Sequence, residues 1–214
     1  MIVSIDSILV LLIVTSFLLL GSSRLNTCIR IGALQGITVG LLPLAASGAN
    51  LTVRVAVIAA AIIGLKGFVF PALLSRTLRE SNTSREVQPF VGYVASIFVG
   101  VLSLLASFRL ATRLALPVGA YSDLVVPVAF SMMMVGLFLI VARRTAVNQV
   151  QGYLVLENGI YTFGLAIVRD IPVLVELGVL MDMFVAVFVM GIAIYRINRE
   201  FDHIDSDQLS TLKG

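Results

Sequence analysis

The 214-residue chain has no tryptophan, one cysteine and one histidine. Cys28 alone cannot form an internal disulfide, a CxxC pair or an iron–sulfur site. His203 alone cannot supply a bis-histidine haem, and it stands in a polar stretch. Nucleotide fingerprints of the GxGxxG and GxxxxGK(S/T) kinds are missing, as are GxSxG and HExxH. Any redox or hydrolytic chemistry therefore belongs on a partner. Charge is also scarce, at 13% of residues. The net charge of +3 raises the question of nucleic acid. The basic residues instead flank apolar segments, which points to membrane topology.

What is present is apolar surface: 59% of residues are hydrophobic and the mean hydropathy is +1.05. A soluble fold of this size buries only about 70% of its unfolded area and could not hide so much. A water-soluble enzyme is excluded, and an all-α integral membrane protein is expected. Apolar runs fall at about 2–21, 29–47, 51–75, 87–108, 124–142, 150–168 and 172–196. Each can cross about 30 Å of hydrocarbon as a helix. Strands of alternating pattern are missing, which argues against a β-barrel. The polar stretches 75–90, 109–123 and 197–214 are too short for a soluble domain. The reading is a single transmembrane domain of about seven helices over 1–214. It divides into three helices over 1–86, a connector helix and loop over 87–123, and three helices with a tail over 124–214.

No Lys or Arg precedes the first run, and Asp6 lies near its start. That order is wrong for a cleaved signal peptide, although Gly21-Ser22-Ser23 has the small residues of a cleavage site. With the N-terminus outside, ten basic residues fall inside: Arg24, Arg30, Arg76, Arg79, Arg85, Arg143, Arg144, Arg196, Arg199 and Lys213. Four fall outside: Arg54, Arg109, Arg113 and Arg169. The bias places the C-terminus in the cytoplasm. Leu18-Leu19-Leu20, Arg24 and Gly32 also align with Phe138-Leu139-Ile140, Arg144 and Gly152. This is a candidate parallel repeat of spans 1–3 and 5–7, and chance similarity between apolar helices accounts for it equally well.

Function is sought in ionisable residues at depth, which lipid penalises unless they are paired or hydrated. Glu157 lies about 10 Å into the sixth span. Gln149, Tyr153, Glu157 and Tyr161 repeat every four residues and form one stripe, with Asn158 adjacent. Such a carboxyl either passes protons along ordered water or clasps a neighbouring helix. In the seventh span, Asp182 is close to the midplane, flanked on its face by Gly178 and Ala186. Glu176 is one turn from the outer end, where it either serves the same path or faces water. In the third span, Lys66 sits between Gly64 and Gly67, followed by Pro71. Pro71 cannot donate to the Gly67 carbonyl, so a kink and a freed carbonyl are expected beside the amine. The alternative is a lysine that pairs with a carboxylate for structure alone.

Other features have ordinary readings. Gly32, Gly36 and Gly40 make a GxxxGxxxG face for close helix packing. Met132, Met133 and Met134 are filler, and Pro127 and Pro172 open helices. Asp202, Asp205 and Asp207 lack the EF-hand spacing, so no metal site is read there.

The runs Gly152-Tyr-Leu-Val-Leu-Glu157-Asn-Gly and Val175-Glu176-Leu-Gly-Val-Leu-Met-Asp182 close on a tail of Asp205-x-x-x-Leu209-x-x-Leu212-Lys213-Gly214. Together they resemble the hydrogenase-4 component E family, membrane subunits of formate-hydrogenlyase-type, energy-converting nickel–iron hydrogenases. Lys66-x-x-x-x-Pro71 fits too. The resemblance covers nearly the whole chain and is best from 143 to 214. The last three spans are also similar to the K subunit of complex I and the C subunit of multisubunit Na+/H+ antiporters. In those, an Arg pair leads into a helix with a buried Glu, and the next helix holds a second acid. Arg143-Arg144, Glu157 and Asp182 take these places. The Arg-to-Glu spacing is about two residues longer here, and the second acid is Asp rather than Glu.

The resemblance implies a non-catalytic membrane subunit of a redox-driven ion pump in a bacterial or archaeal inner membrane, with a proton or Na+ path through Glu157 and Asp182. It implies no cofactor on this chain, with a nickel–iron site and iron–sulfur clusters on partners. Those partners would be antiporter-like and hydrogenase-anchoring membrane subunits and a soluble redox arm. The alternatives are an antiporter subunit without a redox partner and a structural bridge.

Overall fold

A computed structural model of the chain describes residues 4–47, 52–80, 89–114, 122–167 and 178. These are almost wholly helical, and no β-strand is built among them. The helices are α1 (Ile5–Gly21), α2 (Leu25–Ser47), α3 (Val53–Ile62), α4 (Phe70–Glu80), α5 (Tyr93–Ala111), α6 (Val125–Ala142) and α7 (Ala146–Ile167). A π-helical segment, Ile63–Val69, joins α3 to α4.

Local chemistry explains several boundaries. Ser4 caps α1, its hydroxyl oxygen accepting from the Ser7 amide at 3.3 Å, with Asp6 in the first turn. Gly92 precedes α5, so that helix starts later than the apolar run suggests. Pro127 lies in the first turn of α6, as expected of a helix-opening proline. The expected kink at Pro71 takes the form of the π segment. Pro71 has no N–H for the i→i−4 ladder, and the Phe70 amide bonds the Leu65 carbonyl, five residues back.

Four rods are long and apolar enough to cross a membrane: Leu25–Ser47, Val53–Arg76, Tyr93–Ala111 and Val125–Ala142. Ile5–Gly21 is apolar but shorter. α7 has the length, but Asn148, Gln149, Gln151, Glu157 and Asn158 dilute its hydropathy. The described part thus supplies four such rods where seven spans were expected. The seventh apolar run, apart from Gly178, lies outside the described residues, as do Arg169, Glu176, Asp182, His203 and the tail.

α7 can carry so many polar groups because protein surrounds it. It packs on α6 backbone to backbone. A Cβ on Gly136 would lie 2.4 Å from the Leu156 nitrogen, one on Gly152 2.8 Å from the Ile140 nitrogen, and one on Gly159 2.8 Å from the Met133 nitrogen. α2 also packs against α7, and the π segment reaches it through the Lys66 side chain. By contrast, α5 presents Val94, Phe98, Leu102 and Leu105 outward.

The helix ends fall into two sets. At one, Arg143 reaches the Leu20 carbonyl, and the Phe90 amide bonds the Ala142 carbonyl at 3.0 Å. At the other, the Ser122 hydroxyl donates to Asp6 at 2.5 Å. α1 and α6 therefore run parallel. Arg24, Arg30, Arg76, Arg79, Arg143 and Arg144 gather toward the first end, and Arg54, Arg109 and Arg113 toward the second.

Candidate functional site

The GxxxGxxxG face of α2 sets the site. A Cβ on Gly36 would lie 2.5 Å from the Lys66 Cβ and 2.9 Å from the Lys66 carbonyl carbon. One on Gly40 would meet Ile63 at 2.5 Å, and one on Gly32 would meet the Gln151 carboxamide at 2.3 Å. Close packing was the expected role of these glycines. Their particular effect is to seat the π segment and α7 against the α2 backbone.

Seated this way, Lys66 points into the bundle with 5% of its surface exposed. Its ammonium donates to Glu157 Oε1 at 2.5 Å and to Asn158 Oδ1 at 3.0 Å. Glu157 is 1% exposed. Beyond Asn158 the hydrogen bonds continue. Asn158 Nδ2 donates to Gln35 Oε1 at 3.5 Å, Gln35 Nε2 to Ser16 Oγ at 3.0 Å, and the Ser16 hydroxyl to the Leu12 carbonyl at 2.8 Å. Side chains from α7, the π segment, α2 and α1 thus form one buried polar chain across the bundle.

Apolar residues close the pair off toward the arginine-rich end. Leu25, Ile29, Phe70, Leu74, Val150 and Leu154 pack together there, with half-buried Tyr153 against them. Phe70 is one helical turn from Lys66 in sequence, and Leu154 about one turn from Glu157. The larger core cluster, including Leu12, Val39, Val128, Met132 and Val155, packs through α1, α2, α6 and α7.

The expected stripe on α7 is divided by this arrangement. Gln149 Nε2 donates to the Arg143 carbonyl at 3.0 Å, at the helix end. Tyr161 is buried, and its hydroxyl has no hydrogen-bond partner among the described residues. Lys66 and Glu157, read separately in the sequence, are brought into contact. Gln35 and Ser16 were not singled out. Their signal was slight: Gln35 directly precedes Gly36 on an apolar helix, and Ser16 is one of two adjacent hydroxyl residues, with Thr15, on another. Asp182 and Glu176 lie outside the described residues. No cluster of three metal-ligating side chains occurs among the described residues.

A third buried charge lies at the helix ends. Arg143, expected as a cytoplasmic flank and as half of the arginine pair that leads into the Glu157 helix, is 1% exposed. Its guanidinium donates to the Leu20 carbonyl at 2.5 Å, satisfying the last turn of α1, and stands 4.6 Å from the Tyr93 ring centre. Arg144 lies over Phe90 at 4.4 Å and is exposed.

Part of the chain is similar to hydrogenase-4 component E. The match to the Escherichia coli K12 protein is 34% identical over 87 residues, 41% of this chain and 40% of that protein. The Shigella flexneri counterpart matches to the same extent. The aligned part is thus narrower than the near-complete resemblance expected from the sequence. An uncharacterized protein of Mycobacterium tuberculosis is 29% identical over 94% of this chain and 92% of its own length. No protein-family profile matches the chain. No solved structure matches it.

Proposed function

We propose that this chain is a non-catalytic membrane subunit of a respiratory-type, redox-linked complex, where it forms part of a route for protons or Na+. The membrane-capable helices and the partial similarity to a hydrogenase-4 component support the first half of this reading. The observation that carries the second half is the Lys66–Glu157 ion pair. Two charges so deeply buried gain little net stability over an apolar pair, and removing one partner leaves the other stranded. Intramembrane ionisable groups of this kind mark ion pathways. Protonation of Glu157 would cancel its charge and leave Lys66 on Asn158, and deprotonation would restore the pair. Asp182, on the next apolar run, is the proposed second station. Electron-transfer chemistry would reside on soluble partners that carry a nickel–iron site and iron–sulfur clusters. Antiporter-like and hydrogenase-anchoring subunits would be the membrane neighbours.

The test is ion translocation and redox turnover measured on Glu157→Gln, Asp182→Asn and the double variant. Stations in series predict nearly full loss of translocation in either single variant, little more in the double, and preserved turnover with artificial carriers. Normal translocation in all three would leave these carboxyls as packing groups of a structural subunit. Iron–sulfur proteins that copurify in mild detergent support the redox assembly. Their consistent absence alongside cation/proton exchange would move the chain to an antiporter.

A further inference from the structure

The direction of every hydrogen bond in the buried chain follows from one donor. The Lys66 nitrogen donates to the Asn158 carbonyl oxygen Oδ1, so the carboxamide turns its acceptor side to the amine. That places Nδ2 toward Gln35, where only Oε1 can accept. Gln35 Nε2 then faces Ser16, whose oxygen accepts, and the Ser16 proton goes to the Leu12 carbonyl. The donors all run one way, from the α3–α4 rod through α7 and α2 to the α1 backbone. Two carboxamides and a backbone carbonyl do not exchange protons near neutral pH, so this line cannot relay one. It can orient an acceptor. We propose that Asn158, Gln35 and Ser16 are positioning residues that hold Lys66 as a fixed ammonium, so that Lys66 supplies a standing counter-charge while Glu157 alone changes protonation.

The surroundings fit that division. α2 has Cys28 and Arg30 near its start and no ionisable residue after them, and α6 has none between Val125 and Ala142. On α7 the other titratable groups are Tyr153 and Tyr161, one turn either side of Glu157. The α3–α4 rod has Arg54, Arg76, Arg79 and Glu80 toward its ends, and α1 has only Asp6 at the far end. The second acid on the next apolar run, Asp182, lies outside the described residues.

This inference rests on the proposed ion route for its purpose, but its test does not require translocation. The chain has two lysines, Lys66 and Lys213. With Lys213→Arg, a full-length chain labelled with ζ-15N lysine in lipid bilayers carries one lysine signal. Its solid-state spectrum separates ammonium from amine across the working pH range. The expected result is an ammonium throughout. Asn158→Leu, which removes an acceptor, should give an amine over part of that range. Gln35→Met should do the same to a lesser extent, with helix content and melting checked by circular dichroism. An amine in the parent chain at working pH, or spectra unchanged by Asn158→Leu in a folded chain, would overturn the proposal. In the assembled complex, Lys66→Arg should keep at least half of the translocation that Lys66→Met loses, because a guanidinium does not give up its proton. If Glu157→Gln translocates normally while the spectra behave as stated, the ion route fails and the ammonium clamp stands.

Discussion

The backbone of Lys66 lies against Gly36 with no room for a methyl group between them: a Cβ at Gly36 would come within 2.9 Å of the Lys66 carbonyl oxygen. Backbone cannot move aside as a flexible side chain can. The glycine therefore fixes both the π segment and the reach of the lysine toward α7.

Gly36→Ala should lower stability by about 1–3 kcal/mol or more, as overpacking does, and pull Lys66 away from Glu157. Gly64, in the same π segment, has nothing within 4 Å of its Cβ position. Gly64→Ala should change stability by less than about 1 kcal/mol. Thermal melting of the two variants in one detergent compares them. Equal losses would dissociate the effect from the α2 contact.

The ion pair should be strongly coupled. Lys66→Met or Glu157→Gln alone removes one partner and should cost about 3–5 kcal/mol. The double variant should recover most of that loss, since no buried charge is left unpaired. A double-mutant cycle on melting or denaturant resistance reads the coupling directly. Additive losses would mean that each residue is held by something other than its partner.

Arg143 and Arg144 are adjacent and should behave differently. Arg143 is buried on the α1 terminus, so Arg143→Ala should destabilise by about 1.5–3 kcal/mol through the lost charged hydrogen bond. Arg144 is exposed over Phe90, and Arg144→Ala should cost no more than about 1 kcal/mol. The same melting assay measures both.

Topology has its own check. The bias of basic residues predicts that a reporter active only outside the cytoplasm stays silent when fused after Gly214. Activity there would reverse the orientation and exchange the two ends of the proposed route.

Much of this was legible in the sequence, for identifiable reasons. Hydropathy marks helices because lipid demands apolar side chains over a whole span, so α1 to α6 could be located from their apolar runs. Lys66 and Glu157 stood out because charge is rare at depth. Their contact did not, since 91 residues separate them and each had an equally good reading alone. Gln35 was missed because an uncharged amide on an apolar helix raises no alarm until its neighbour is known. Arg143 was placed at a flank because hydropathy counts charges and cannot see a helix terminus waiting for one. Pro71 announced a disturbance, and its resolution as i→i−5 bonding depended on how α2 holds the segment.

The glycine contacts between α6 and α7 have a further consequence. With Gly136, Gly152 and Gly159 interlocked, neither helix can slide or turn against the other without backbone climbing over backbone. The two are therefore a stator. The face where α2 and the π segment meet α7 has no such interlock with the α7 backbone: apolar side chains, one amide hydrogen bond and one ion pair join it, so any displacement in turnover falls there.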